Sequence, residues 1–384
     1  MRNSPIYNRI EKSLSERVAL HRMRSIPPFR RDSGVIDLST NSYLDLQNDK
    51  SIRKEALKLA DNRIHGNLSS RLVSEQSELY SELEKEIVSW KGSEAALLFN
   101  SGYCTNTGIL QALCTRDTEV FCDRLNHASI YDGIALSRCK LNRYRHCDMA
   151  DLEKRLSSSS SKEKLIVTDS VFSMDGDRAP LGDICSLARK YNCAVMLDEA
   201  HAVGIFGREG RGLADEEGVG DEIDVFVGTL SKAVAGLGGY FAGSSLIRDF
   251  LINFSRSFIY STALPHHVLA FNLAAIRKIR NGEINGKNLL EKADFFRASL
   301  NKMGFSSLNS STQIVPCITG NENDALDLRS FLKTKGIIAP AIRPPTVPES
   351  TARIRFSIHL GLDNDQLDYV LRHIYEWKTR HENR

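Results

Sequence analysis

The stretch VFVGTLSKAVAGLGGY, residues 225–240, places a single amine just beyond the end of a short apolar run. Val225, Phe226 and Val227 are typical of a buried strand, and Lys232 follows them. A lone lysine is more often a solvated surface charge, and the glycines at 236, 238 and 239 could form only a turn. We interpret the small residues after Lys232 as leaving room for a ligand beside its amine.

Further apolar runs of the same kind stand upstream of this stretch, and each precedes a helical stretch. One helix is predicted over 75–91, with Leu79, Leu83, Ile87 and Trp90 on one face and Gly92 at its end. Strands that alternate with helices predict an α/β domain with a mostly parallel sheet. The predicted strands before residue 225 are Ala95–Phe99, Val120–Cys122, Leu165–Val167 and Ala194–Leu197.

The pattern changes after residue 265. A long helical stretch over 266–303 leads to strand-like runs at Gln313–Ile318 and Arg353–Ile358, with a helix over 324–335 between them. This order predicts a smaller C-terminal α+β domain. We therefore predict an N-terminal helix and connector over 1–45, a large domain over 46–265, and a linking helix with the small domain over 266–384.

Charge and cysteine content exclude several classes of function. The 384 residues carry 51 basic and 48 acidic side chains, and this balance predicts neither a nucleic-acid nor a membrane partner. The eight cysteines form no C-x-x-C pair and no cluster with zinc-ligand spacing. We expect no metal, free thiols in a reducing compartment, and a cytoplasmic protein. Arg17, Arg22 and Arg24 on the predicted N-terminal helix could meet an anionic substrate, although exposed arginines are more often only solvated.

Polar residues follow several of the predicted strands at the point where each strand ends. In a parallel α/β sheet, ligands bind at the carboxyl ends of the strands, so we expect one crevice to collect these residues. They are Ser101, Gly102 and Tyr103 after the first strand, Asp169 and Ser173, Asp198 and His201, and Thr229 and Lys232.

This set of residues suits pyridoxal 5′-phosphate (PLP). A helix that begins at Gly102 offers backbone N–H groups to a phosphate, Lys232 can bind an aldehyde covalently, and Asp198 can keep a pyridine nitrogen protonated. A nucleotide site is the rival prediction. However, GLGG does not complete G-x-G-x-x-G, and GEINGKN (282–288) is too short for a Walker A loop.

Three motifs resemble the α-oxoamine synthases, fold-type-I PLP enzymes that condense an amino acid with an acyl-CoA and release CO2. They are D-E-A-H (198–201), T-L-S-K (229–232) and V-F-S-M-D-G-D (171–177), and the resemblance runs from about Asn41 to Leu360. The stretches SFIYSTALP (257–265) and AIRPPTVPESTARIRFSI (341–358) look most like the branch that joins L-alanine to a pimeloyl thioester in biotin synthesis.

The resemblance implies a role for each matching residue at the cofactor. Lys232 would carry the cofactor and act as the base at Cα, Asp198 would bind the ring nitrogen, and His201 would bind the ring hydroxyl oxygen. His127 would stack on the ring, whereas by itself it would be interpreted as a half-buried histidine with satisfied hydrogen bonds. The remaining cofactor residues would be Gly102, Tyr103 and Thr229 at the phosphate, Ser173, and Thr262 at the phosphate of the partner subunit in a homodimer.

The resemblance also implies a substrate site. Asn41 and Arg355 would hold the substrate carboxylate, for which the planar guanidinium fork of arginine is suited, and Thr346 would belong to the same site. Arg353, Arg355 and Ser357 are every second residue of a predicted strand, so their side chains should share one face. By itself, Arg355 could instead be a solvated charge at a sheet edge. Among the departures from the family pattern, this chain has Asp45 and Ser231 where glycine is usual.

Other functions stay open at this point. A member of the same family could use glycine with acetyl-CoA, as 2-amino-3-ketobutyrate CoA ligase does, or serine with a long acyl-CoA. A non-catalytic protein on the same fold is a third class, but Lys232, Asp198 and His201 together argue against it.

Overall fold

The computed structural model describes residues 4–20, 22–24, 26, 34–60, 68–73 and 77–382, which contain twelve strands and fourteen α-helices. The strands are β1 Ile36–Asp37, β2 Ala95–Phe99, β3 Thr118–Asp123, β4 Lys140–Tyr144, β5 Glu163–Asp169, β6 Ala194–Asp198, β7 Val225–Thr229, β8 Gly239–Gly243, β9 Ile314–Gly320, β10 Ile337–Ile338, β11 Ala341–Ile342 and β12 Ala352–Ser357. The helices are α1 Pro5–Ala19, α2 Lys50–Ala60, α3 Glu78–Lys91, α4 Gly102–Leu113, α5 Ala128–Ser137, α6 Met149–Ser157, α7 Leu181–Tyr191, α8 Leu213–Glu216, α9 Ser245–Phe254, α10 Arg256–Ile259, α11 His266–Arg280, α12 Lys287–Lys302, α13 Glu322–Thr334 and α14 Asn364–Glu382.

The central sheet has seven strands in the order β2-β8-β7-β6-β5-β3-β4. Strand β8 is antiparallel to both of its neighbours, and all other pairs are parallel. Successive residues of the central sheet pack into two different apolar clusters. In β5, for example, Ile166 belongs to one cluster and Val167 to the other, so both faces of the sheet are covered. This is the mostly parallel sheet that the strand pattern predicts.

All five predicted strands of this sheet are present, and the prediction missed two others. Strand β8, GYFAG, contains glycine at both ends, and we interpreted the glycines before it as open space rather than as the approach to a strand. Strand β4, KLNRY, is a largely polar edge strand without an apolar run. Helix α3 ends as predicted, with Gly92 in the left-handed conformation at φ +69°.

The predicted helical stretch over 266–303 is wrong as a single element. Helix α11 ends at Arg280 and α12 begins at Lys287. Gly282 takes a left-handed φ of +73°, which ends the first helix. Gly286, before α12, lies so close to the main chain of Ile205 that a Cβ would come within 2.1 Å of that residue's carbonyl oxygen.

The smaller C-terminal part contains an antiparallel sheet in the order β11-β12-β9, together with α12, α13 and α14. Strand β1, from the N-terminal connector, pairs in parallel with β10, so Ile36 lies opposite Ile337. The connector is thereby tied to the C-terminal part. The predicted domain boundaries at residues 45 and 265 stay a prediction.

Helix α1 buries none of its residues against the rest of the described chain. It ends at Ala19, so Arg22 and Arg24 lie beyond the helix on which we had placed them. Arg22 is ion-paired with Glu322 and Glu349, at N–O distances of 2.8 and 3.0 Å. Within the described residues, no helix has both the length and the apolar character that a membrane span requires.

Candidate active site

The carboxyl ends of β3, β5, β6 and β7 and the start of α4 surround one cavity of about 180 Å3. This is where ligands bind in open parallel sheets. The prediction that one crevice collects the strand-end residues therefore holds for most of them. Its lining residues are Ser101, Gly102, Tyr103, Asn106, His127, Asp169, Val171, Asp198, Ala200, His201, Thr229, Ser231 and Lys232.

Lys232 points its amine at His201, with Nζ 2.9 Å from Nε2. Burial lowers the pKa of Lys232 to about 8, although Asp198 and Asp169 act in the opposite direction. Burial and the neighbouring Lys232 also lower the pKa of His201 well below its usual value. We therefore assign a neutral imidazole whose Nε2 accepts a hydrogen bond from the amine.

The hydrogen bonds continue from His201 to a cluster on the N-terminal connector. His201 Nδ1 is 2.7 Å from the hydroxyl of Tyr43, and that hydroxyl lies 3.1 Å from Asn41 Oδ1. Arg355 Nη2 donates to Asn41 Oδ1 at 3.2 Å and lies 3.4 Å from Tyr43 Oη. Lys232 is thus connected to the predicted carboxylate-binding pair by one histidine and one tyrosine.

Asp198 is held in a fixed orientation by two donors. Its Oδ1 accepts the backbone N–H of Ala200 at 2.9 Å, and its Oδ2 accepts Asn106 Nδ2 at 2.7 Å. Asp169 lies beside it, because β5 and β6 pair in parallel with these two residues in register. Burial and the charge of Asp198 raise the pKa of Asp169 well above its usual value. Asp169 therefore favours its neutral form beside Asp198.

His127 caps the N-terminus of α5 and faces the cavity. Its ring Nδ1 is 2.7 Å from Ser129 Oγ, and its backbone N–H donates to Asp169 Oδ2 at 3.2 Å. The Tyr103 ring meets the His127 ring edge to face, with centroids 6.5 Å apart. These contacts hold the imidazole at one wall, where a planar ring could stack on it.

The N-terminus of α4 also lines the cavity. Ser101 caps this helix by accepting the backbone N–H of Cys104 at 3.1 Å. Thr229 Oγ1 lies 2.8 Å from Ser231 Oγ, so two hydroxyls stand together. Gly239 makes this arrangement possible, because a Cβ there would come within 2.7 Å of the Gly102 nitrogen.

The close approach at Gly239 corrects our interpretation of the glycines after Lys232. They do not open space beside the amine, because they lie against other parts of the protein. A Cβ on Gly236 would come within 1.8 Å of Asn272 Oδ1. Gly238 has a φ of +121°, which an L side chain rarely adopts.

Several predicted residues lie outside this cavity. Ser173 contacts Arg355 through its carbonyl oxygen, which accepts the guanidinium Nε. Thr346 lines a separate cavity of about 380 Å3, together with Asn126, Phe172 and Met174. Thr262 is exposed and forms an isolated bridge with Ser70. Their assigned roles stay predictions.

Arg355 is not the solvated edge charge that we considered. Strand β12 lies between β11 and β9, and only 5% of Arg355 and 1% of Arg353 are exposed. Arg353 is ion-paired with Asp175. Arg355 Nη1 donates to Ser357 Oγ at 2.6 Å, which places these two side chains on one face of the strand.

The residues around the cavity fit PLP. Two buried acceptor atoms at its edge, Asn106 Oδ1 and Asp169 Oδ1, have no hydrogen-bond partner within the described residues. The donors and hydroxyls near Gly102 suit a phosphate. Lys232 and Asp198 face the same space, as an aldehyde and a pyridine nitrogen on one ring require.

Comparisons with known proteins agree with this geometry. The model of the aminotransferase class I and II family matches residues 33–374. An 8-amino-7-oxononanoate synthase from Citrifermentans bemidjiense is 46% identical over 329 residues, which cover 84% of each chain. Among solved structures, a serine palmitoyltransferase with PLP has a TM-score of 0.92 at 27% identity, covering 98% of this chain and 99% of the other.

A third similar protein is the 8-amino-7-oxononanoate synthase of Francisella tularensis. Its crystal structure has a TM-score of 0.79 at 27% identity and covers 92% of this chain and 100% of the other. The chain therefore belongs to the aminotransferase class I and II family of PLP-dependent enzymes and, within it, to the α-oxoamine synthases. It is an enzyme of the transferase class.

Proposed function

We propose that the chain binds PLP and catalyses the decarboxylative condensation of L-alanine with a pimeloyl thioester. The thioester is pimeloyl-CoA or its carrier-protein equivalent, and the products are 8-amino-7-oxononanoate, the free thiol and CO2, in biotin biosynthesis. The observation that carries the proposal is the hydrogen-bonded connection from Lys232 through His201 and Tyr43 to Arg355. This connection supports a site in which Lys232 acts as the base and Arg355 binds the carboxylate of the same substrate amino acid.

When bound, PLP supplies an electron sink for the bonds that break at Cα. Lys232 and Asp198 are the residues that would hold the ring at its aldehyde and its nitrogen. His127 would stack on its face, and the N-terminus of α4 with Thr229 and Ser231 would hold its phosphate. Asp198 would keep the ring nitrogen protonated, because Ala200 N–H and Asn106 Nδ2 hold its carboxylate in the cavity.

The side chains of this protein then divide the work of the condensation. Lys232, once its amine is free again, takes the Cα proton of alanine, and a pKa of about 8 leaves part of that amine neutral near pH 7. Cα bonds to the pimeloyl carbonyl carbon as the C–S bond breaks and the thiolate leaves. Arg355 and Asn41 hold the carboxylate until it departs as CO2, and a proton returns to Cα.

The test is thiol release by the PLP-loaded protein. L-alanine with a pimeloyl thioester should release thiol and CO2 in equal amounts, and Lys232→Ala should abolish turnover. Lys190→Ala is the matched control, because that lysine is exposed and, among the described residues, contacts Glu153 and the ring of Tyr191. Faster release with glycine and acetyl-CoA, or with serine and a long acyl-CoA, would assign another reaction of the same family. No release with any pair would overturn the proposal.

The homodimer that the resemblance implies belongs to this proposal. The side chain of Thr262 is exposed, and its carbonyl oxygen accepts Asn100 Nδ2 beside the start of α4. We expect Thr262 to reach the phosphate bound by a second copy of the chain.

A further inference from the structure

Gln313 is a fully buried amide beside the strand that carries Arg355. It directly precedes β9, and its own carbonyl oxygen accepts the backbone N–H of Ile358 at 2.9 Å, just beyond β12. Ser357, to which Arg355 donates, lies opposite Ile314 in the register of these two strands. Gln313 therefore belongs to the sheet that holds the proposed carboxylate-binding arginine.

The side chain of Gln313 reaches across to His201 in the turn after β6. Its Nε2 donates to the carbonyl oxygen of His201 at 2.9 Å, although the two residues are 112 positions apart. A carbonyl oxygen can only accept, so this contact fixes which end of the amide faces it. Among the described residues, no backbone N–H donates to the same oxygen. The main chain at His201 is therefore held by a side chain from another part of the fold.

Packing alone does not account for an amide at position 313. The other polar atom of the side chain, Oε1, is buried and has no hydrogen-bond partner within the described residues. Such an acceptor costs free energy, which a methionine of similar size would avoid. Burial raises the pKa of Tyr43, whereas Arg355 and Gln313 act in the opposite direction as hydrogen-bond partners. The amide of Gln313 thus acts as a donor within the network around His201.

We propose that Gln313 is a positioning residue for the condensation, because its amide holds His201 in place between Lys232 and the sheet that carries Arg355. Gln313 is not among the residues that line the cofactor cavity, so it acts through His201. The imidazole lies 2.9 Å from Lys232 Nζ and 2.7 Å from the Tyr43 hydroxyl. A shift of the main chain at His201 would change both contacts. The inference rests on the proposed function, in which the base and the arginine act on one substrate.

PLP uptake by the apoprotein measures this role without acyl transfer. Gln313→Met keeps the size of the side chain and removes its donor. An acceptor at His201 favours the charged form of the Lys232 amine, so a displaced imidazole should move the pH midpoint of PLP uptake below that of the wild type. The other charged groups that act on this amine are unchanged by the substitution, namely Asp198, Asp169 and Arg355.

Steady-state kinetics of the PLP-loaded protein give a second measurement. Gln313→Met should raise the KM for alanine about 10-fold, because the base and the guanidinium are no longer held in one arrangement. The KM for the pimeloyl thioester should change less than about 2-fold, since the substitution acts at the amino-acid end of the site. Urea unfolding of each variant separates these effects from a loss of the fold.

Gln313→Glu gives a pH-dependent test with a side chain of the same size. An ionised carboxylate cannot donate to the carbonyl oxygen of His201, but a protonated carboxyl can. The ratio of variant to wild-type kcat/KM for alanine should therefore fall as pH rises, whereas the ratio for Gln313→Met should not depend on pH. Gln366→Glu is the matched control, because Gln366 accepts the backbone N–H of Asp363 at 3.0 Å and a carboxylate can accept there too.

Gln313→His should restore much of the wild-type KM for alanine, because a ring N–H can donate from a similar distance. Folded Gln313→Met and Gln313→Glu proteins with wild-type KM values and uptake midpoints would overturn the proposal. If Gln313→Met does not fold, a pH-independent ratio for Gln313→Glu would overturn it. Wild-type protein that takes up PLP but releases no thiol would instead overturn the proposed function, and the uptake midpoints would still test Gln313.

Discussion

At the scale of single residues, the hydroxyl of Tyr43 is the least expected part of the site. It is completely buried and connects His201 to Asn41 and Arg355. This hydroxyl holds the imidazole in the tautomer that can accept from Lys232. Removing it would free the ring to rotate and would leave a nitrogen of His201 without its partner.

Tyr43→Phe should lower kcat/KM about 10- to 100-fold, because a buried hydrogen bond next to charged groups is lost. The cofactor should still bind, since Lys232 and Asp198 are unchanged. Tyr240→Phe is the matched control: its hydroxyl is buried without a hydrogen-bond partner in the described part of the chain. A Tyr43 variant with activity equal to that of the control would contradict this role.

Cofactor uptake by the apoprotein should depend on pH through Lys232. Burial lowers its pKa to about 8 from 10.5, so the reactive neutral amine increases as pH rises through 8. The rate of PLP uptake, followed by absorbance, should therefore rise between pH 6.5 and 9 with a midpoint near 8. Because the lowered pKa penalises the charged form in the folded state, this group should also make folding more favourable as pH rises from 8 to 10.5. An uptake midpoint near 10 would show that the amine is solvated.

The sequence predicted the residues at strand ends but not the residues that orient them. Lys232, Asp198 and His201 follow apolar runs, and parallel sheets bring such ends together. Tyr43 and Asn106 had no comparable signal. Tyr43 is 158 positions from His201, and Asn106 lies inside a helix and 92 positions from Asp198. Partners that meet only through the tertiary fold are not visible in a local pattern.

At the scale of elements, the end of α3 is fastened to the turn after β6 by a buried ion pair. Lys91 Nζ contacts Glu199, whose side chain is fully buried, and the carbonyl oxygen of Arg211. Glu199 Oε1 also accepts the backbone N–H of Ala214 at 3.0 Å. Since Glu199 separates Asp198 from the turn that carries His201, the ion pair supports both of those residues.

Lys91→Met should destabilise the protein by about 3–5 kcal/mol, because it leaves an uncompensated carboxylate inside the fold. Urea unfolding measures the change. Lys190→Met, at an exposed ion pair with Glu153, should cost less than about 1 kcal/mol. Adding Glu199→Gln to Lys91→Met should recover part of the loss. Equal effects of the two lysine substitutions would show that the Lys91 pair is no more important than a surface pair.

Element boundaries were predictable where a single residue type ends a helix. Gly92 ended α3 as its position suggested, because glycine accepts the left-handed conformation without strain. The break between α11 and α12 was missed, although Asn281 and Gly282 stand there. Its cause also includes the contact of Gly286 with Ile205 in a distant loop. Asp45 takes a φ of +58°, which explains why the family pattern has glycine at that position.

At the scale of the whole molecule, helix α1 presents apolar side chains that none of the other described residues buries. Ile6, Ile10, Leu14 and Val18 recur every four residues and are 42–60% exposed. A stripe of this length is typical of a surface that another chain covers. We expect a second copy of the chain to cover it in the proposed homodimer.

Ile10→Glu should weaken that dimer, because it places a charge within the stripe. Sedimentation velocity at several protein concentrations would show a shift toward monomer. Lys12→Glu, which alters an exposed polar position of the same helix, should leave the distribution unchanged. An Ile10 variant that stays as dimeric as the wild type would remove α1 from the interface.

The pairing of β1 with β10 has a consequence for the order in which the enzyme is made. Lys232 and Asp198 share a sheet whose strands are complete by Gly243. Asn41 and Tyr43 are synthesised early, but they reach Arg355 only after β12 has left the ribosome. A nascent chain can therefore form the strands around the cofactor cavity well before the proposed substrate-binding site is complete. Synthesis that stops before Arg355 would leave the proposed carboxylate-binding site without its guanidinium.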